Sequence, residues 1–308
     1  MTTSCGWISA HLFHAGSLDA LVEHVAAPLT AELREDLAGF FFLHYWEGGP
    51  HLRLRVKPAE GADAGRIRRL IERRAGAYFA AHPSRRELRT GDYQALAARY
   101  ARAEGLAAYD GRLHPNDAVE FIAYLPERRA YGEEACVAAV EEHFTDSSRL
   151  ALDLLATKPD QGGRAAIGLA ALTLTVAACL PDQRAAALRL RAGIRFPPEV
   201  EEAFQRDRDG LLRRTRRLWD RPGEGMLGAW SSSLRTLRDR LTDLGAAPAD
   251  VDTPAAFLAR VLRPEAAAVP YILLRCTHLL HNRLGVTPTA EQRLTLLTLR
   301  VIAALHES

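Results

Sequence analysis

The chain has 308 residues, 48% of them hydrophobic and 25% charged, with a formal net charge of +2. That is the composition of a folded globular protein long enough to bury a full core, and so small a net charge argues against a nucleic-acid partner held by charge alone. The four cysteines, Cys5, Cys136, Cys179 and Cys276, form no CxxC pair, which points to free thiols rather than a disulfide framework or a zinc site.

The N-terminus, MTTSCGW, has no basic or apolar signal region, so a cytoplasmic location is expected. WISAHLFH (7–14) alternates like a strand, and SLDALVEHVAAPL follows at helical spacing with Ser17 as its N-cap. FFFLHYW and HLRLRV then read as two strands joined by Glu47-Gly48-Gly49-Pro50. A loop of these four residues sets Trp46 across from His51, His44 across from Arg53 and Phe42 across from Arg55. Side chains alternate along a strand. Tyr45, Leu43 and Phe41 then join Leu52, Leu54 and Val56 on an apolar face. The other face gathers His44, Trp46, His51, Arg53 and Arg55. Such a face is either solvated or a site for an anion or peptide carboxylate, which arginine binds in a fork.

Residues 64–81 read as an Arg-rich helix and VEFIAYLP (119–126) as a strand closed by Pro126. From Tyr131 onward the pattern is almost wholly helical. Helices are expected over 132–143, after a cap at Asp146-Ser147-Ser148, over 164–180 and over 198–219. Thr253-Pro254 and Thr287-Pro288 open two more, and PYILLRCTHLLHNRLG closes at Gly285. The apolar run Ala165–Leu180 has 16 residues, short of the roughly 20 that span a bilayer, so a buried helix and no membrane partner are expected. The whole predicts an α+β fold, an N-terminal sheet with flanking helices and a mostly helical C-terminal half. It is expected as one domain over 1–308, with a sheet part (1–130) and a helical part (131–308).

His278, His281 and Asn282 share one side of the late helix, with Arg275 one turn earlier. They are either polar residues at a helix end or part of a site. His278 lies deeper in the apolar run and is the stronger candidate. Without HExxH or a clustered carboxylate no metal is expected. GxSxG, GxGxxG and a Walker loop are absent from the sequence. The Arg-rich stretches RIRRLIERR and LLRRTRRLW come with no RNA-binding motif, so they read as solvated faces.

Three blocks in order, FFFLHYWEGGPHLRLR, YLPERRAYGEE with EEHFTDSSRLAL, and THLLHNRLG, resemble the thiopeptide-type bacteriocin biosynthesis family. These are stand-alone relatives of the C-terminal elimination domain of lantibiotic dehydratases, and the resemblance covers nearly the whole chain. It implies a precursor peptide, leader plus core, as substrate, other enzymes of the pathway as partners, and no metal or organic cofactor. Two activities share this fold. One removes glutamate from a glutamylated Ser or Thr to leave a dehydroamino acid. The other is pyridine synthesis, a formal [4+2] cycloaddition of two dehydroalanines followed by loss of water and of the leader peptide.

Residue by residue, the HxRxR arginines that eliminating relatives associate with glutamate match Arg53 and Arg55. The histidine of their Hx3NR-type block matches His278, followed by Asn282 and Arg283. Their third arginine, in PExxRYGG, falls on Ala130. Elimination needs the leaving glutamate's charge offset, a task for paired arginines. Cycloaddition has no glutamate to hold. It needs a tautomerised amide, hence a proton donor and acceptor, and two ends of a peptide in near-attack geometry. A pyridine synthase is therefore expected, with His278, Arg53, Arg55 and Tyr131 as catalytic residues. His44, Trp46, His51, Tyr124, Asn282 and Arg283 are expected to bind substrate. The early hairpin and the late helix are expected to serve one cavity. The alternatives are a glutamate-eliminating partner of a split dehydratase and a non-catalytic protein that binds the precursor peptide.

Overall fold

The computed structural model describes residues 6–307 except 87, 105–108 and 250–252. Cys5 therefore lies outside the described residues. The chain falls into two compact units, Met1–Leu125 and Pro126–Ser308.

The first unit holds β1 (Ile8–Phe13), α1 (Leu18–Leu21), a π-helical turn (Val22–Ala26) and α2 (Ala27–Glu32). β2 (Leu37–Tyr45), β3 (His51–Pro58), α3 (Ala64–Ala81), α4 (Thr90–Glu104) and β4 (Ala118–Phe121) follow. The four strands form one antiparallel sheet in the order β2-β3-β1-β4. Period-2 patterning explains its two faces. Ala10, Leu12, Phe42, Leu52, Leu54 and Val56 are fully buried on one face. α3 packs there through a stripe of Ile67, Leu70, Ile71, Ala75 and Phe79. Asp63 caps α3 by accepting from the N–H groups of Gly65 and Arg66. Ser17 caps α1 as expected, accepting from Ala20. β4 ends at Phe121, well before Pro126.

Among the described residues the elements of the second unit are all helices: α5 (Arg128–Tyr131), α6 (Glu134–Ala156), α7 (Gln161–Cys179), α8 (Gln183–Gly193), α9 (Pro198–Arg206) and α10 (Arg208–Asp220). α11 (Gly228–Asp243), α12 (Pro254–Leu262), α13 (Ala268–Arg283) and α14 (Pro288–Ala303) complete it. α7 is the central helix and packs against α10, α11, α13 and α14. It is long and apolar enough to cross a membrane, with half of its most apolar window buried inside the fold. Its buried hydroxyls are paired: Thr173 donates to the Leu169 carbonyl, and Thr175 bonds Thr277 of α13 at 2.8 Å. Thr253 and Thr287 cap α12 and α14 ahead of prolines, as expected. Gly285, at φ +68°, follows α13 in the conformation that favours glycine.

Two helix boundaries differ from expectation. Asp146-Ser147-Ser148 caps nothing, since α6 runs through it. Ser147 and Ser148 are buried, and Ser147 accepts from Arg283 while Asp146 accepts from Ser233. Tertiary partners have thus claimed the Asp146 and Ser147 side chains, which would otherwise compete with the helix. Residues 198–219 form two helices because the backbone of Asp207 leaves the helical region, at φ −139°. The Asp207 carboxylate bonds Arg214 of the following helix.

Candidate functional site

The hairpin register decides which side chains meet. Tyr45 pairs with His51, Leu43 with Arg53 and Phe41 with Arg55. The loop is therefore Trp46 to Pro50, one residue longer than expected. A one-residue slip moves every β2 side chain to the opposite face. His44 accordingly lies on the helix-covered face, near Asp19, and is not beside Arg53. Trp46 sits in the loop and packs on Tyr45, Tyr100 and Tyr109. Phe41 replaces Phe42 as the partner of Arg55.

Tyr45 and Phe41, expected on the apolar face, line the polar face instead. The Arg53 guanidinium lies 3.4 Å from the centre of the Tyr45 ring. Its Nε donates to His51 Nε2 at 3.3 Å, and Nη2 donates to Glu47 Oε2 at 2.8 Å. Glu47 is held in turn by the backbone N–H of Asp110 at 2.7 Å. The tautomer of His51 follows from its partners. Nδ1 faces the Gly49 carbonyl at 2.8 Å and must donate, which leaves Nε2 to accept from Arg53. Arg55 stacks on Tyr124 at 4.3 Å and on Phe41 at 5.3 Å. Trp7 closes this box against both rings. A cation against aromatic faces in a dry site gains about 2 kcal/mol from each good contact.

β1 adds His11 and Phe13, which pair with Arg53 and His51. The rings of His11 and His51 stack at 4.9 Å. Burial holds the His11 pKa down at about 2, with His51 and the two arginines adding to the effect. Burial likewise takes His51 down to about 3, against a raising contribution from the Gly49 carbonyl. Both rings are neutral beside two guanidinium groups. On β4, Glu120 pairs with His11 and accepts from His114 Nδ1 at 2.7 Å, while His114 Nε2 meets Asp110 at 2.9 Å. Sequence reasoning missed His11, Glu47, His114 and Glu120. The signal for His11 was present, since Ser9, His11 and Phe13 alternate within WISAHLF.

In the second unit the expected residues fall into two groups. His278 is exposed, with 54% of its side chain accessible, and is not the deeper histidine it was expected to be. His281 is the buried one. Glu291, in the first turn of α14, holds both: Oε2 lies 2.8 Å from His278 Nδ1 and Oε1 lies 3.0 Å from His281 Nδ1. Burial opposes the Glu291 charge, but the two histidines outweigh it and bring its pKa down to about 2. One turn before His278, Arg275 donates through Nε to the Tyr131 hydroxyl at 3.1 Å and through Nη2 to Glu127 at 2.6 Å. Tyr131 is buried, and burial raises its hydroxyl pKa well above the usual value. Ala130 beside it is also buried.

Asn282 is half-buried, and its carbonyl closes the helix by accepting from Gly285. Arg283 is fully buried, donates to Ser147 at 3.1 Å and lies 5.3 Å from the Phe144 ring. Burial pushes its pKa down to about 10. A groove of about 570 Å³ between α6 and α11 is lined by Asp146, Trp230 and Ser233, and none of the expected site residues lines it. Among the described residues no cluster of three or more metal-ligating side chains is present.

The sequence matches the family described as lantibiotic biosynthesis dehydratase, C-terminal, over residues 7–302. The chain belongs to the lantibiotic dehydratase C-terminal family. Among curated protein sequences no significant relative is found. Solved structures share the family fold. The pyridine synthase TbtD from thiomuracin biosynthesis superposes with a TM-score of 0.72 at 18% identity, over 97% of this chain and 98% of that one. TsrL gives 0.66 at 20% identity, over 98% and 95%. The tRNA-dependent lantibiotic dehydratase MibB from Microbispora sp. 107891 gives 0.60 at 16% identity. That match covers 98% of this family member but 28% of MibB.

Proposed function

We propose that this family member is a pyridine synthase of thiopeptide maturation, acting on a precursor peptide that carries two dehydroalanines. The observation that carries the reading is the pairing of Arg53 with Glu47. A guanidinium whose charge is already offset by a fixed carboxylate is a poor receptor for a substrate glutamate. It remains a good hydrogen-bond donor to neutral peptide carbonyls. The small buried Ala130, where eliminating relatives carry an arginine, points the same way. So does the fold shared with TbtD along the full length of both chains.

In this reading Arg53 and Arg55, braced by aromatic rings, hold peptide carbonyls. The chemistry begins when the amide between the two alkenes moves its N–H proton to oxygen. Its azadiene then closes on the second alkene. His278, through Nε2, takes the nitrogen proton and returns it to oxygen, so no net proton is consumed. Loss of water and of the leader as its carboxamide completes the aromatic ring. Tyr131, whose oxygen accepts from Arg275, keeps its own hydroxyl proton to donate. The second reading, glutamate elimination, is favoured by the retained Arg53 and Arg55. Mass spectrometry separates them. A synthase converts a peptide with two dehydroalanines to a macrocycle and free leader, while an eliminator removes glutamate from a glutamylated peptide.

A further inference from the structure

We propose that Glu291 is the positioning residue of His278, fixing its imidazole with the proton on Nδ1 and leaving Nε2 as the open proton-transfer atom. The inference deepens the proposed role of His278 and rests on it.

Most exposed histidine–carboxylate pairs are loose, because both side chains are free to move. This one is rigid from behind. Glu291 is 17% exposed. One of its oxygens is claimed by His281, itself 1% exposed. His281 is packed at its other end against α7, where Nε2 lies 3.2 Å from the Gly168 carbonyl. A Cβ at position 168 would stand 2.7 Å from Leu294 Cδ2 and 3.1 Å from His281 Nε2, so a larger residue would have to push one of these side chains aside. The backbone of Glu291 is fixed as well. It lies just past the Thr287 cap and Pro288, with its N–H on the Thr287 carbonyl at 2.8 Å. The positive end of α14 also favours its charge. The carboxylate therefore presents its second oxygen in one place, and His278 meets it with Nδ1.

A carboxylate accepts only, so His278 donates from Nδ1 and keeps its lone pair on Nε2. When Nε2 takes a proton, the resulting imidazolium lies 2.8 Å from a negative charge that does not have to move. This is the division of labour between orienting acid and general base in hydrolytic triads. Glu291 touches no reacting atom in this scheme. It acts through His278.

The test reads the tautomer directly. Nitrogen-15 NMR of the full chain, with the His278 signal assigned from its loss in His278→Ala, is expected to show protonated Nδ1 at neutral pH. In Glu291→Gln the amide can donate to Nδ1, so the signal is expected to shift toward the Nε2–H form. With a peptide bearing two dehydroalanines, Glu291→Gln is expected to lower kcat by about 30–100-fold with KM within about threefold. Glu291→Asp should recover part of that loss. Should Glu291→Gln fail to fold, the wild-type spectrum still decides, and Nε2–H at His278 overturns the proposal. Full turnover in Glu291→Gln beside an inactive His278→Ala overturns it too, while leaving His278 in the reaction. Full turnover in His278→Ala removes the role of His278 and this proposal with it.

Discussion

Glu47 Oε2 lies 2.8 Å from Arg53 Nη2, and its other oxygen accepts from the backbone of Asp110. The guanidinium is thus already paired, and the five-residue loop keeps Tyr45 beneath it, where a four-residue loop would have turned that ring to the opposite face. Wild-type protein should therefore bind a glutamylated precursor no more tightly than the same peptide with free serine. Fluorescence anisotropy of the two labelled peptides measures this. A tenfold preference for the glutamylated form would mean that Arg53 recognises substrate glutamate.

The register makes a prediction about neighbours in sequence. Tyr45→Leu removes the ring beneath Arg53 and should lower turnover by about 5–20-fold, from loss of about 1–2 kcal/mol of bracing. His44→Ala, on the opposite face, should leave kcat within about twofold. Kinetics of the two variants on one peptide check the assignment of faces.

How much of this could be read from the residues depends on what set each feature. Period-2 alternation gave the strands of the hairpin, and Thr-Pro caps gave two late helices. Nothing local in Glu-Gly-Gly-Pro distinguishes a four-residue from a five-residue loop, yet that one residue exchanges His44 for Tyr45. Ser147 and Ser148 have the chemistry of caps, and only their burial inside α6 shows otherwise. His278 and His281 sit in the same apolar run. Which of them is buried is settled by Gly168 on α7, 110 residues before His278.

Acid should unfold the protein through its buried neutral histidines. His11, His51 and His143 have folded pKa values of about 2, 3 and 3, below the ordinary 6.5, with burial the main cause in each. The unfolded chain takes up protons that the folded one refuses. Stability is therefore full above pH 6.5 and falls toward pH 3, by up to about 1.4 kcal/mol per pH unit for each histidine. Glu291, held at about 2 against an ordinary 4.5, adds a further loss as pH drops below 4.5. Urea melts between pH 8 and pH 4 measure the slope. A flat profile would mean that these rings are hydrated.

Gly168→Ala should drive a methyl group into Leu294 and His281. Overpacking of this kind costs about 1–3 kcal/mol, more than the roughly 1 kcal/mol that alanine returns to a helix. The melting temperature should fall by a few degrees. An increase would show that α7 and α14 have room to separate.

The central claim is that this family member closes a pyridine ring. Mass spectrometry of purified protein with a leader-bearing peptide containing two dehydroalanines tests it most directly. The account predicts a macrocyclic product lighter by one water and the released leader carboxamide, together with that free leader. Unchanged peptide, beside loss of glutamate from a glutamylated precursor, would contradict it.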